Sequence, residues 1–134
     1  MISVCKRKVD LTFVIDQSDS VGKKNFETVK QYVAKTIEHF KLGPLDTHVA
    51  LISFGTNALV EWTFSDYPGQ NIKAARDSLK AMQFSGGDSY LNLSMDLANE
   101  RIYNTAYGMR EKVFKVNAFF VENTRTFQIV MTRN

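Results

Sequence analysis

The chain has 134 residues, 44% of them hydrophobic, enough for one packed core with little room for a second. Seventeen basic against fourteen acidic residues give a net charge of +3, and the one dense cluster, Lys6-Arg7-Lys8, is followed by no basic stripe interleaved with stacking aromatics, so a nucleic-acid site is not expected. No apolar run is long enough to span a membrane, and Met1-Ile2-Ser3-Val4 is too short for the apolar part of a secretory signal, so any export signal is expected outside this sequence.

Cys5 is the single cysteine, which excludes an internal disulfide. Val9 to Ile15 begins with alternation and ends apolar, as a central strand does when both its faces are covered. Asp16-Gln17-Ser18-Asp19-Ser20 follows, and then Phe26, Val29, Val33, Ile37 and Phe40 recur at helical spacing opposite Lys24, Glu27, Lys35 and Glu38. Gly43-Pro44 is expected to stop that helix. Val49 to Phe54 reads as a second buried strand and Gly55-Thr56-Asn57 as a turn. Leu59 to Phe64 alternates as an antiparallel edge strand, with Val60, Trp62 and Phe64 on one face and Glu61 and Thr63 on the other.

Two further helical stripes follow, Ile72, Ala75, Leu79 and Met82, then Leu91, Met95, Ala98 and Ile102. Phe119, Phe120, Val121, Phe127, Ile129 and Val130 are strand-like, with Glu122-Asn123-Thr124-Arg125 available as the turn of a terminal hairpin. Strands alternating with helices predict an α/β fold, a doubly wound and mostly parallel sheet covered on both faces. Ligands of such sheets bind at the carboxyl ends of the strands, and Asp16 lies at one of them.

In an extended loop, alternate side chains point the same way, so Asp16, Ser18 and Ser20 would converge as one carboxylate and two hydroxyls. That donor set suits a small hard cation such as Mg²⁺ or Mn²⁺. Such an ion takes few carboxylates, and its remaining positive charge would attract an acidic side chain from a partner. His39 and His48 have no metal-ligand spacing and no adjacent nucleophile, and are read as structural. Asp16-x-Ser18 lacks the second aspartate of haloacid dehalogenase-type phosphatases, and no phosphate-cradling glycine loop is present. Asn92-Leu93-Ser94 is a glycosylation sequon, usable in a secreted protein, and chance explains it about as well.

Asp16-x-Ser18-x-Ser20, then Val21-Gly22 and Asn25-Phe26-Glu27-Thr28-Val29-Lys30, resembles the opening of a von Willebrand factor type A domain, in the extracellular branch of matrilins, fibril-associated collagens and integrin inserted domains. Leu42-Gly43-Pro44, Val49 to Phe54 and Phe84-Ser85-Gly86-Gly87 continue the likeness, so residues 8–122 are assigned to a partial domain, 1–7 to an N-terminal extension and 123–134 to an atypical tail. The resemblance implies that Gly86-Gly87-Asp88-Ser89 is the second metal loop, with Ser89 supplying a hydroxyl in place of the family's threonine. Asp88 is expected either to contribute a carboxylate near the ion or, with Ser89, merely to cap the following helix. The family's third loop, Thr-Asp-Gly, aligns with Val121-Glu122-Asn123, where Glu122 alone keeps a carboxylate. The family often pairs a cysteine at the Cys5 position with one beyond the last helix. Its absence here suggests a fragment, with an ordinary free thiol as the other reading.

The function expected from this resemblance is non-enzymatic. It is a divalent-cation-dependent protein-binding module for cell adhesion or extracellular matrix interaction, with collagen or another matrix protein as partner and an extracellular location. A metal-independent structural or assembly element is the alternative, and a metal-dependent hydrolase a distant third. Apolar surface left open beyond Glu122 predicts marginal stability and self-association.

Overall fold

The computed structural model describes residues 7–120 and the backbone of 127–132. The secondary structure runs β1 (Val9–Asp16), α1 (Gly22–Ile37), β2 (His48–Phe54), β3 (Ala58–Trp62), α2 (Ile72–Ala81), α3 (Leu91–Arg101), β4 (Phe114–Phe120) and β5 (Phe127–Thr132), with short 3₁₀ turns at Tyr67–Gly69 and Thr105–Tyr107. The strands form one sheet in the order β3-β2-β1-β4-β5. β1 pairs in parallel with β2, from Asp10 opposite His48 to Asp16 opposite Phe54, and with β4, from Val9 opposite Phe114 to Ile15 opposite Phe120. β3 and β5 add antiparallel edges. The α/β architecture is the expected one, and the sheet is mixed, parallel at its centre and antiparallel at both margins. The terminal hairpin is present as the β4–β5 pairing, whereas its connection, including Glu122, lies outside the described residues, as does Cys5.

All eight residues of β1 are buried, as a central strand requires. Its odd-numbered side chains, Val9, Leu11, Phe13 and Ile15, pack with Val49 and Leu51 of β2 against Phe26, Val33 and Ile37 of α1 and Ala75 and Leu79 of α2. On the other face Ala50 and Ile52 meet Phe64, Ala98 and Ile102, so α3 covers β2 and β3 there. Each large apolar side chain so buried contributes about 1.5–3 kcal/mol.

Three expectations are corrected. α1 ends at Ile37, ahead of Gly43-Pro44. The chain leaves it through tight turns, with His39 N–H donating to Thr36 O (3.1 Å) and Phe40 N–H to Ile37 O (3.0 Å), and Gly43 instead shapes the turn into β2. In β3 the register shifts: Trp62 faces Leu51 while Val60 faces Ile52, so Glu61 is an extra residue. Trp62 therefore joins the α1/α2 layer while Val60 and Phe64 stay in the α3 layer, and the expected single face is split. In α3 the buried face is Ser94, Ala98 and Ile102, whereas Leu91 and Met95 are exposed. Small residues at the i and i+4 positions let the helix sit close to the sheet, and that close fit outweighs the apolar stripe read from the sequence.

Candidate metal site

β1 and β2 end side by side, and Gln17 N–H donates to Phe54 O at 2.8 Å where the two chains turn away. Asp16, almost wholly buried, folds its carboxylate back onto its own loop: Oδ1 accepts the Ser18 N–H at 2.9 Å, an aspartate-centred turn. Oδ2 accepts the Ser89 hydroxyl at 3.0 Å across 73 residues of sequence. Ser18 is fully buried, and its Oγ has no hydrogen-bond partner among the described residues. Leaving a hydroxyl in that state costs roughly 1–3 kcal/mol.

The loop after Asp16 is a turn rather than the extended segment expected. Ser18 O accepts the N–H groups of Val21 (3.1 Å) and Gly22 (3.2 Å), which starts α1, and Ser20 stands exposed on the turn. The structure thus brings Asp16, Ser18 and Ser89 together by direct contact or adjacency, and leaves Ser20 exposed on the turn, hydrogen-bonded to none of them.

The α2–α3 loop is fastened to both strand ends. Asp19 N–H donates to Gly87 O (2.9 Å), Tyr90 N–H to Gly55 O (3.1 Å) and Asp88 N–H to Thr56 Oγ1 (3.0 Å). Gly86 and Gly87 have φ of +72° and +97°, and a Cβ on either would stand 2.4 Å from Asp19 Oδ1 or 2.3 Å from Thr56 Oγ1. Glycine is therefore favoured at both by conformation, and at Gly87 also by space, since Thr56 Oγ1 is held there by Asp88 N–H. The Asp88 carboxylate is exposed and accepts from Tyr90 OH at 3.3 Å. Tyr90 caps α3 with no side-chain hydrogen bond, so the alternative in which Asp88 or Ser89 merely caps the helix is not realised.

Two residues of this assembly escape a sequence reading. Gln17 spans the loops: its Nε2 donates to Ser53 Oγ (3.0 Å), its Oε1 accepts from Ser85 N–H (3.3 Å), and Ser53 Oγ donates to Glu61 at 2.8 Å. The signal available was its position inside the motif. Lys30 is buried, and its Nζ donates to Met82 O (2.6 Å) and Lys80 O (3.3 Å) and pairs with Glu27 (3.2 Å), fixing the end of α2 where the loop begins. It sits on the apolar stripe one turn after Phe26, where a count of apolar residues passes over it.

The opposite end of the sheet is polar for structural reasons. Buried Asp10 accepts from Arg110 N–H (2.8 Å), Nε (2.9 Å) and Nη2 (2.8 Å), with Lys115 Nζ at 3.6 Å. His48 lies in this region with Nε2 at 3.0 Å from Pro44 O, and burial, reinforced by the Arg110 charge, holds its pKa below the usual histidine value. Tyr103 donates to Asn117 Oδ1, and burial pushes its pKa up to about 12 despite the opposing contact with Thr12.

Chemically the Asp16 cluster offers one carboxylate and serine hydroxyls. Among the described residues no three His, Cys, Asp or Glu side chains are grouped so that they could hold a metal ion. An all-oxygen donor set fits a hard cation, and the buried Ser18 Oγ, with no hydrogen-bond partner among the described residues, has its lone pairs uncommitted. Asp16, Ser18 and Ser89 are therefore compatible with a bound divalent ion.

Residues 10–131 match the family model described as von Willebrand factor type A domain, a span that runs past Glu122. Matrilin-2 of Mus musculus is 32% identical over 76% of the chain, the collagen alpha-1(XII) chain of Notophthalmus viridescens 22% over 93%, and the collagen alpha-5(VI) chain of Homo sapiens 27% over 86%. The chain spans 10%, 13% and 4% of the lengths of these relatives, respectively. Proximal thread matrix protein 1 from the mussel byssus, solved with what its description calls a zinc-occupied MIDAS motif, superposes with a TM-score of 0.76 at 22% identity, over 88% of this chain and 29% of that one. No helix among the described residues is long and apolar enough to cross a membrane. The chain belongs to the von Willebrand factor type A domain family.

Proposed function

We propose that this domain is a non-enzymatic, divalent-cation-dependent protein-binding module of the extracellular matrix or cell surface. Asp16, Ser18, Ser20 and Ser89 would hold Mg²⁺ or Mn²⁺, directly or through water, and a carboxylate of the partner would complete the coordination. The observation that carries this reading is Ser18: its backbone N–H is held by the Asp16 carboxylate, and its buried Oγ has no hydrogen-bond partner among the described residues. Kinship with matrilins and collagen chains supports a matrix partner such as collagen, and the zinc-occupied relative supports a divalent ion over none. The ion's role is electrostatic. With a single formal negative charge from Asp16 it keeps a net positive charge for the ligand. Calorimetric titration with Mg²⁺ and Mn²⁺ tests the reading. Weak binding is expected in the wild type and none in Asp16→Ala, whereas identical titrations would overturn it.

A second reading rests on a specific contact. Asp16 already accepts hydrogen bonds from Ser18 N–H and Ser89 Oγ, so the cluster is closed without an ion and can serve a metal-independent structural or assembly role. No titration heat from either protein, together with unaltered partner binding in a chelator, would favour that role.

A further inference from the structure

The chain holds a single Asn-x-Ser/Thr sequence, Asn92-Leu93-Ser94. In the fold it lies in the first turn of α3, where Asn92 is exposed. In sequence it is flanked by a collar of exposed apolar side chains: Tyr90 is 45% exposed, Leu91 37% and Met95 41%. Met95 is the i+3 neighbour of Asn92, on the same side of the helix. These are large side chains left in water on a helix that buries Ser94, Ala98 and Ile102 instead.

We propose that Asn92 is an N-glycosylation site whose first sugars lie over Tyr90, Leu91 and Met95, three residues from Ser89. In the covalent step the Asn92 amide nitrogen bonds to the anomeric carbon of a lipid-diphosphate-linked oligosaccharide. The lipid diphosphate leaves with the electron pair of the broken bond, and the amide gives up one proton. The C–H faces of the first rings then pack on the tyrosine ring and the aliphatic side chains, which removes apolar surface from water.

The fold also sets when this happens. Ser94 is fully buried, and its hydroxyl donates to Leu91 O at 2.6 Å. Residues two apart are about 200° apart around a helix but point the same way in an extended chain. An acceptor that must present Asn92 and the Ser94 hydroxyl together exists only before α3 forms. Afterwards the hydroxyl is withdrawn, and the exposed Asn92 keeps its glycan outside without displacing any buried group.

The test is to express the full 134-residue chain behind a cleavable secretion signal in mammalian cells. Intact mass is read before and after treatment with a peptide amidase that removes N-glycans. Secreted and retained protein are both measured, so failed export does not obscure the result. An amidase-sensitive mass is expected in the wild type and in Ser94→Thr, and its complete loss in Asn92→Gln. Wild-type protein without that mass would overturn the proposal. The glycosylated chain should bind less of an apolar dye than Asn92→Gln, and equal binding would overturn the covering of the collar. In detergent-opened microsomes, purified folded chain from bacteria should remain unmodified while the same chain unfolded in mild denaturant is modified, and equal modification of the two would overturn the ordering.

Discussion

A methyl group added at residue 87 would stand 2.3 Å from the Thr56 hydroxyl oxygen, on a backbone with φ of +97°. Gly22 has a similar φ, +79°, yet a Cβ there meets nothing within 4 Å. Gly22→Ala should therefore cost only the left-handed conformation, about 1–2 kcal/mol. Gly87→Ala should cost that and more, because the α2–α3 loop must move off Thr56, and the difference between the two urea midpoints measures the contact. His48 supplies a second expectation at this scale. Its folded pKa lies below the value of about 6.5 that the unfolded chain restores. The unfolded state then binds the extra proton first, so this contribution to stability is present above pH 6.5 and is lost as pH falls from there through the folded value. Denaturation at a series of pH values should show a loss in the wild type that is smaller in His48→Gln. Asp16, Ser18 and Ser89 could be singled out from motif and resemblance because their chemistry is written in side-chain type. The roles of Gln17 and Lys30 could not, because they depend on which carbonyls and hydroxyls the loops and the end of α2 bring near them. Glu122 lies outside the described residues.

Among the elements, those with unambiguous periodicity were legible. β1, β2 and the stripes of α1 and α2 match because their apolar residues face a sheet that is buried across its centre. α3 was legible as a helix but not in its rotation, since a stripe containing Leu91 and Met95 and a stripe containing Ser94 and Ala98 fit the same stretch. The sheet accepts the smaller one. Leu91→Ser and Met95→Gln should consequently change unfolding free energy by no more than about 0.5 kcal/mol, as surface substitutions do. Ser94→Leu, which forces a large side chain against the sheet, should cost about 1–3 kcal/mol. The extra residue at Glu61 was invisible for a related reason: alternation holds only while the register does, and the shift between Leu51 and Ile52 sends Trp62 into the opposite layer from Val60.

At the scale of the whole molecule the sheet's centre is parallel and its edges antiparallel, an arrangement that leaves β3 and β5 without outer strand partners among the described residues. Trp62, the chain's single tryptophan, ties one of those edges to the interior by donating from Nε1 to Val49 O at 2.9 Å. Because it lies in the α1/α2 layer, its fluorescence should report the global transition, and urea unfolding followed by Trp62 emission and by far-ultraviolet circular dichroism should coincide. An emission change that precedes the loss of ellipticity would mean that β3 separates first. The overall architecture was readable because alternating strand and helix patterns leave few ways to bury both faces of a sheet. The mixed character was only partly so, because parallel and antiparallel edges share the same residue preferences.

The contact between Ser89 Oγ and Asp16 Oδ2 joins residues 73 positions apart, whereas the turn that holds Ser18 against Asp16 spans only two. One half of the cluster can form as soon as its own loop exists. The other must wait for the ends of β1 and β2 and the whole α2–α3 connection to arrive, each at a price in loop-closure entropy. Folding should therefore pass through molecules whose sheet is assembled while the cluster is still open. Slow opening of the α2–α3 loop in the native protein would revisit the same form, giving the cluster a lifetime shorter than that of the fold that carries it.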